Sequence, residues 1–249
     1  MTNPKFRESD TSLKKFDIAI ANPMWNQPFD ESIFEKDPFN RFESQGGTTS
    51  GKGDWAWLQH TVAILKDNGR ATVVLDTGAV TRGSGSKNED RERNIRKWFV
   101  EQDVVEGVIL LPDNLFYNTT AAGIIIVLRK NKPKDRRGRI TLVNASSEFK
   151  KGQPQNFIPQ ETIRRIADAF NAGQDVEGFV KVIAADEAAK NDFNLSPSRY
   201  VVQGATENGR LIKAVLADLK QLEEIEAALA RELTPLLAKL AAMETQKTD

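Results

Sequence analysis

The stretch FDIAIANPMW, residues 16–25, carries the clearest structural signal in the chain. Its first six residues form a short apolar run that stops at Asn22-Pro23, a combination typical of a buried strand that ends in a sharp turn. Open α/β sheets place their sites at the carboxyl ends of parallel strands. We therefore expect Asn22, Pro23, Met24 and Trp25 to lie at a functional site.

Outward from this strand, the spacing of apolar residues alternates between that of helices and that of strands. The pattern predicts helices over about 54–68, with Asp54 as the cap, and over about 88–101. The predicted strands are, in order, 71–75, 104–111, 122–128 and 140–143. This alternation predicts an α/β sheet with helices on both faces. Because no helix separates the strands at 104–111 and 122–128, we expect them to form an antiparallel pair at one edge.

The remaining segments show no such alternation. The polar composition of residues 1–15 predicts a disordered leader. Residues 26–53 are polar and contain scattered Pro, Gly, Ser and Thr, which predicts a long mobile loop. After residue 150 the composition shifts, so we expect a partly irregular extension over 151–206 with one helix at about 160–171. Over 207–249 apolar residues recur at a mean spacing near 3.6, which predicts an amphipathic helical arm. Such an arm either packs on its own domain or contacts another subunit, and we favour subunit contact.

Composition excludes several kinds of site. There is no cysteine, which excludes disulfides, thiolate metal sites and cysteine nucleophiles. The single histidine, His60, excludes a multi-histidine site, so we expect no metal and a packed or solvated role for His60. The net charge is 0, so a DNA partner would require a local basic patch. No apolar run approaches the ~18 residues that span a bilayer, and the polar N-terminus is not a secretory signal. We expect a soluble, cytoplasmic protein.

The residue types of the turn at 22–25 suit chemistry on an exocyclic base amine. The lone pair of such an amine is delocalised into the ring, so the nitrogen needs acceptors that hold its hydrogens while charge develops. The amide oxygen of Asn22 and the backbone carbonyl of Pro23 provide two acceptors, and the proline stiffens the turn that presents them. Trp25 can stack on a base that has been extruded from the duplex.

Asn22-Pro23-Met24-Trp25 resembles the (Asn/Asp/Ser)-Pro-Pro-(Phe/Tyr/Trp) tetrapeptide of amino-methyltransferases. Met24 stands where that family usually has a second proline, so we expect a looser turn without the loss of an acceptor. Further blocks, in the same order, look like those of the modification subunits of type I restriction–modification systems: 54–58, 69–71, 111–117, 122–128, 144–149 and 155–156. The resemblance covers roughly residues 16–200.

This resemblance implies the C-terminal half, residues 16–150, of a partial Rossmann-like S-adenosylmethionine methyltransferase sheet with antiparallel edge strands. It implies transfer of a methyl group from S-adenosylmethionine to N6 of adenine in DNA. The implied partners are DNA, a specificity subunit, a nuclease subunit and a second modification subunit. In the family the main cofactor-binding elements precede the tetrapeptide, and only about fifteen residues precede the strand here. We therefore expect Asn22 alone to touch the cofactor and no activity of the chain alone. The chain is then a fragment, a split subunit whose partner is a separately encoded N-terminal half, or the product of a truncated reading frame, and these alternatives stay open.

Further candidates follow the strands at 104–111 and 122–128. Asn114, Phe116 and Tyr117 come after the first of these and can shape the pocket for the base or for DNA. The stretch 130–139 holds six basic residues and one acid, typical of a solvated loop or of a phosphate-binding one. The candidates for phosphate contact are Lys132, Arg136 and Arg137.

A different class of function stays open. Met24 in the tetrapeptide and the expected lack of cofactor-binding elements also suit a non-catalytic module that binds DNA or a specificity subunit. The stretch Gly46–Gly53 resembles a phosphate-binding loop, but no Ser or Thr follows its lysine and no strand precedes it, so nucleotide binding is not expected there.

Overall fold

The computed structural model describes residues 3–28, 34, 37–49, 51–87, 90–201, 219–221, 226, 229–231 and 233. By its internal contacts the chain divides into two units, Met1–Gly204 and Ala205–Asp249. The residues that the structure describes in the second unit are helical. The rest of the arm expected over 207–249 lies outside the described residues.

The first unit is built on one mixed sheet of six strands in the order β1-β2-β4-β3-β5-β6. The strands are β1 Phe16–Ala21, β2 Leu65–Asp76, β3 Val105–Leu110, β4 Gly123–Arg129, β5 Arg139–Asn144 and β6 Val180–Ala184. Two neighbouring pairs, β1–β2 and β3–β5, are parallel, and the other pairs are antiparallel. The expected antiparallel pair β3–β4 is present. Its expected place at the edge is wrong, because β2 and β5 flank it on either side.

Five helices accompany the sheet in the described part of the chain. They are α1 Asp54–Ala63, α2 Arg91–Glu101, α3 Gln160–Ala172, α4 Ala185–Lys190 and α5 Pro197–Tyr200. Side chains alternate between the two sheet faces along each strand, so Val108 packs in one core cluster and Ile109 in another. The first cluster includes Trp55 of α1 and Phe99 of α2, and the second includes Phe170 of α3. The sheet is therefore covered by helices on both faces.

The first helix differs from its prediction at both ends. It ends at Ala63, and Leu65 is the first residue of β2, where it pairs with Phe16. Leu65 fits the helical spacing of the preceding apolar residues, which is why the spacing alone extended the helix too far. Asp54 does not cap the helix, since Gly53 occupies the cap position and Asp54 is the first helical residue.

Part of the expected loop over 26–53 is packed. Phe42 is buried in a small cluster with Phe34 and Ala56 of α1. Arg41 pairs with Asp37 across 2.7 Å, and both side chains are almost fully buried. The described residues 37–49 hold little regular structure, as expected of a loop, but Phe42 packs them against α1. These contacts are too widely spaced in the sequence to show a period.

The two ends of the first unit also differ from their predictions. Leu13 is buried and its backbone bridges to Arg7, so the described residues of the expected leader are not featureless. The boundary near residue 150 is wrong, because β6 pairs with β5 and extends the same sheet. No helix in the described ranges is both long and apolar enough to cross a membrane.

Strand β1 is one edge of the sheet, and the face beside it is open. Ile18 is 71% exposed and Ile20 is 81% exposed. Together with Thr72, Val74 and Ile125 they line a groove of about 540 Å³ that is bounded on one side by α3. We call the surface of these five residues the bare half-face. Parallel strands are normally buried on both faces, so this surface has the composition of an interior.

Candidate functional site

The tetrapeptide lies where the sequence analysis placed it, directly after β1. Ala21, the last residue of β1, pairs with Val73 inside β2, so the turn projects beside the second half of that strand. Asn22 and Met24 are exposed, Met24 by 67% of its surface. Trp25 is partly buried and packs against the main core cluster. Asn22 is therefore accessible to solvent, while Trp25 holds the turn against the core.

Two contacts fix Trp25. Its indole Nε1 donates a hydrogen bond to the carbonyl oxygen of Val74 at 3.2 Å. Its ring meets that of Phe116 edge-on, with the ring centroids 4.7 Å apart and an interplanar angle of 75°. Stacked bases are separated by roughly 3.4 Å, so a base between the two rings would need about twice that distance. In this structure the rings touch, and a base enters between them only if Phe116 moves.

A glycine makes this ring contact possible. Gly123 begins β4, and a Cβ at this position would lie 2.7 Å from Cε2 of Phe116 and 3.0 Å from Cη2 of Trp25. Any larger residue would push the rings away from their present places. No local sequence pattern marks Gly123, because its role depends on two rings that are distant in sequence.

The loop between β3 and β4 brings the other predicted residues to the same end of the sheet. Asn114 has a positive φ of 52°, and its side-chain amide donates to the carbonyl of Pro154 at 3.2 Å. Tyr117 is 92% exposed. Asn114, Phe116, Tyr117, Pro154 and Gln155 contribute to the wall of an open pocket of about 510 Å³. Asn114 therefore shapes the loop, Phe116 lies against Trp25, and Tyr117 exposes its ring at the pocket.

Immediately after the tetrapeptide lies a polar cluster that the sequence analysis missed. We call it the Arg82 cluster, and its members are Asn26, Lys52, Asp54, Asp76, Arg82 and Glu92. Asn26 has a positive φ of 55°. Its backbone N–H donates to Oδ1 of Asp54 at 2.9 Å, and its side-chain amide donates to the carboxylate of Asp76. The residue after Trp25 is thereby held to the start of α1 and to the end of β2.

Arg82 supplies the positive charge at the centre of this cluster. Its guanidinium donates to Glu92 Oε2 at 2.5 Å, to the carboxylate of Asp54, and to Oδ1 of Asn26 at 3.2 Å. Burial alone would lower the pKa of Arg82, but hydrogen bonds and charges from Glu92 and Asp54 outweigh burial and raise it. Burial raises the pKa of Glu92, although its bond to Arg82 opposes this. Among the described residues, no group of three or more His, Cys, Asp or Glu is placed to hold a metal ion.

The predicted phosphate contacts do not lie at this site. In the antiparallel pairing of β2 with β4, Gly123 lies opposite Asp76 and Arg129 lies opposite Arg70. The basic stretch that follows β4 is therefore at the other end of the sheet from the tetrapeptide, about 20 Å away at ~3.3 Å per residue. The expected antiparallel pairing of β3 with β4 is confirmed, and it places the segments that follow these two strands at opposite ends of the sheet.

The side chain of Lys132 is not free to contact phosphate in this structure. Its side chain is fully buried, and its Nζ lies 2.6 Å from Oδ1 of Asp103 and 2.9 Å from the carbonyl of Arg139. The guanidinium of Arg136 is also already hydrogen-bonded within the protein, since it donates to backbone carbonyls at the C-terminal end of α3. Arg137 is exposed at this same distant end, so its contact with phosphate stays a prediction.

The match to known proteins decides the family. The family model for the N-6 DNA methylases matches residues 1–209 of the chain. The chain belongs to the N-6 DNA methylase family. The MjaVII methylase subunit of a type I restriction enzyme from Methanocaldococcus jannaschii is 35% identical over 243 residues, which are 94% of this chain and 40% of that relative. The MjaVIII methylase subunit from the same organism is 40% identical over 210 residues, 81% of this chain and 35% of that relative.

Solved structures agree with the sequence relatives of this N-6 DNA methylase chain. The type I restriction–modification methyltransferase subunit from Streptococcus thermophilus superposes with a TM-score of 0.68 and 33% identity, over 76% of this chain and 38% of that one. The resemblance to type I modification subunits is therefore confirmed, as is the mixed α/β sheet that it implied. The chain spans about two fifths of the length of the curated relatives it matches.

Proposed function

We propose that this chain supplies the base-binding part of an N6-adenine DNA methyltransferase of a type I restriction–modification system. The methyl donor that we propose is S-adenosylmethionine, and the chain spans about two fifths of the length of the curated relatives it matches. One observation carries the proposal: in a member of the N-6 DNA methylase family, the tetrapeptide Asn22–Trp25 follows a parallel strand and contacts the loop of Phe116.

The exposed first half of the tetrapeptide suits the amine of an adenine. The amide oxygen of Asn22 and the carbonyl of Pro23 accept the two N6 hydrogens, which draws the nitrogen towards a tetrahedral geometry and frees its lone pair for attack. Bound S-adenosylmethionine would supply an electrophilic methyl group. Both acceptors are neutral, so they stabilise the developing positive charge on the nitrogen without competing for the methyl group.

The aromatic residues provide the wall against which the base rests. Trp25 is held in place by Val74, and Phe116 lies on the loop that carries the exposed Tyr117. A base extruded from the duplex gains stacking on such rings, which offsets part of the cost of leaving the helix. Met24 is exposed, so the residue in the place of the second proline leaves the packing of Trp25 intact.

The exposure of the bare half-face favours a second polypeptide element that packs on it and completes the sheet. Strand β1 is parallel to β2, which is its one neighbouring strand among the described residues, and the side chains of Ile18 and Ile20 on β1 are exposed. A further parallel strand and a helix placed here would bury both faces of β1. They would also stand beside Asn22, where the donor must approach the amine. This element is the cofactor-binding half of a Rossmann-like methyltransferase sheet, on this polypeptide or on another.

The partners of the assembled enzyme follow from the type I systems to which the relatives belong. We propose DNA as substrate, with a specificity subunit, a second modification subunit and a nuclease subunit in the full complex. The arm that the sequence predicts over 207–249 is the proposed subunit contact.

One observation favours a second candidate function. Phe116 closes over Trp25 at 4.7 Å and leaves no gap for a base between the rings. A chain that keeps this closed arrangement would act as a non-catalytic module that binds DNA or a specificity subunit. Such a module would bind with equal strength whether or not Asn22 and the methyl donor are present.

The test is methyl transfer to DNA by the complex purified with this chain, using S-adenosylmethionine with a labelled methyl group. Asn22→Ala is compared with Asn68→Ala, an exposed asparagine near the start of β2 at the opposite end of the sheet. We expect Asn22→Ala to abolish transfer while DNA binding and folding persist, and Asn68→Ala to behave as the wild type. Full activity of Asn22→Ala would refute the proposed role.

A further inference from the structure

Asn26, the residue that follows the tetrapeptide, is exposed and yet held by four contacts. Its backbone N–H bonds to Asp54, its amide nitrogen bonds to Asp76, and its amide oxygen accepts from Lys52 at 3.0 Å and from Arg82 at 3.2 Å. Its positive φ is a conformation that asparagine tolerates better than most residues. An exposed side chain with this many fixed partners orients the chain at its position and adds little to the hydrophobic core.

The partners of Asn26 come from three different elements. Asp54 begins α1 and is fully buried, Asp76 ends β2, and Arg82 lies in the turn that follows β2. Arg82 joins them, because it bonds to Asn26 and Asp54 and lies 3.4 Å from Oδ1 of Asp76. Removing Arg82 would leave buried carboxylates without their counter-charge, and the two acceptors that hold Asn26 would no longer be fixed.

The backbone of Arg82 is itself fixed from behind. Arg96 is fully buried and donates to the carbonyl of Arg82 at 2.9 Å and to Oγ of Ser84 at 2.7 Å. It also donates to the carbonyl of Phe193 at 2.5 Å. The turn that carries Arg82 therefore has one defined position relative to α2.

These contacts control the geometry of the tetrapeptide. Strand pairing fixes its entry at Ala21, and the Arg82 cluster fixes its exit at Asn26. Between these two points the chain has only four residues, which include the acceptor carbonyl of Pro23 and the ring of Trp25. Acceptors for a reacting amine must be held to within about 0.5 Å to be productive.

We propose that Asn26, held by Arg82, is a positioning residue for methyl transfer, which sets the Pro23 carbonyl and the Trp25 ring against the target adenine. The inference rests on the proposed function and adds two residues outside the tetrapeptide to it. Neither residue touches the base. Their effect is on the rate of the chemical step and on the placement of the base, with little effect on the affinity for DNA.

The test uses the complex that contains the full chain and a matched pair of variants. Asn26→Gly keeps the positive φ and removes the side-chain contacts. Its control is Asn131→Gly at the opposite end of the sheet, since Asn131 is also exposed, has a φ of 48° and donates from its amide to the carbonyl of Asp67 at 2.8 Å. We expect Asn26→Gly to lower kcat about 10- to 100-fold with KM for DNA within about 2-fold, and Asn131→Gly to change neither.

Variants of Arg82 test the second half of the inference. Arg82→Lys keeps the charge but not the branched set of donors, so its kcat should lie between those of the wild type and Arg82→Gln. Fluorescence of 2-aminopurine at the target adenine reports base placement, and we expect it to fall in Asn26→Gly while the unfolding midpoint in urea matches that of Asn131→Gly. If Arg82→Gln does not fold, the comparison of the two asparagine variants still decides.

The outcomes separate this inference from the proposed function. If the wild-type complex transfers no methyl group to DNA, the proposed function fails and the inference fails with it. If the wild type is active and Asn26→Gly retains kcat within about 2-fold, the positioning role is overturned while the proposed function stands. A loss of kcat that occurs only together with a lowered unfolding midpoint would also overturn it, since a structural role explains that result.

Discussion

The single histidine offers the sharpest test of the packing around α1. Nδ1 of His60 lies 3.0 Å from a guanidinium nitrogen of Arg41, whose side chain is buried and paired with Asp37. Because arginine only donates, the neutral ring must accept at Nδ1 and carry its proton on Nε2. Burial, and then the charge of Arg41, lower the pKa of His60 from 6.5 to about 4.

The sign and size of the effect on stability follow from this shift. Between pH 4 and 6.5 the unfolded chain binds a proton at His60 that the folded chain does not bind. The contribution of His60 to the free energy of unfolding is therefore fully present above pH 6.5 and is lost as the pH drops towards 4. At 1.36 kcal/mol per pKa unit the full effect is ~3 kcal/mol, and solvent screening of the partly buried ring reduces it to roughly 1–3 kcal/mol.

The assay is urea unfolding at a series of pH values for the wild type and for His60→Asn. Asparagine keeps an acceptor close to the position of Nδ1 and does not titrate, while the carboxylates contribute equally to both proteins. We expect the variant to lose about 1–3 kcal/mol less between pH 6.5 and 4 than the wild type. NMR of the one imidazole should show a midpoint near pH 4. A midpoint at or above 6, or identical pH curves for the two proteins, would refute the buried contact with Arg41.

Three further substitutions test the site and its surroundings. Gly123→Ala should force the rings of Phe116 and Trp25 apart at a cost of ~1–3 kcal/mol in urea unfolding, and unchanged stability would contradict the ring contact. Lys132→Met should lower the free energy of unfolding by about 1–3 kcal/mol, because the buried ion pair with the partly exposed Asp103 is lost. DNA affinity should stay within about 2-fold. A large loss of affinity would instead support a contact between Lys132 and phosphate. Tyr117→Ala should change the free energy of unfolding by less than ~0.5 kcal/mol. It should weaken DNA binding by ~1–3 kcal/mol, because the stacking of a base on the ring is lost. Unaltered DNA binding would show that the exposed ring does not stack on a base.

The sequence predicted those parts of the fold whose signals are local. An apolar run followed by Asn22-Pro23 predicts a strand and a turn, and the structure has both. Similarly, the isoleucine-rich run at 122–128 predicts a strand, and the structure has β4 there, inside the sheet. Leu65 is an exception, because it fits the spacing of the preceding helix and yet begins a strand.

Contacts between residues that are distant in sequence could not be predicted from local patterns. Arg82 bonds to Asn26 and Asp54, which lie 56 and 28 positions away, and no spacing links these residues. Each alone has the character of an ordinary surface residue. The same limit explains Lys132, one of six basic residues in a stretch with the composition of a solvated loop, since only the structure shows which lysine folds back onto Asp103.

The most direct test of the central claim is made in the cell from which the chain comes, where every partner of the complex is present. The chromosomal copy is replaced by Asn22→Ala, with Asn68→Ala as the control, and N6-methyladenine is mapped across the genome by long-read sequencing. We predict that the adenines of one recurring sequence lose their methyl group in Asn22→Ala and keep it in Asn68→Ala. An unchanged methylation map in Asn22→Ala would contradict the claim that this chain binds the target base for methyl transfer.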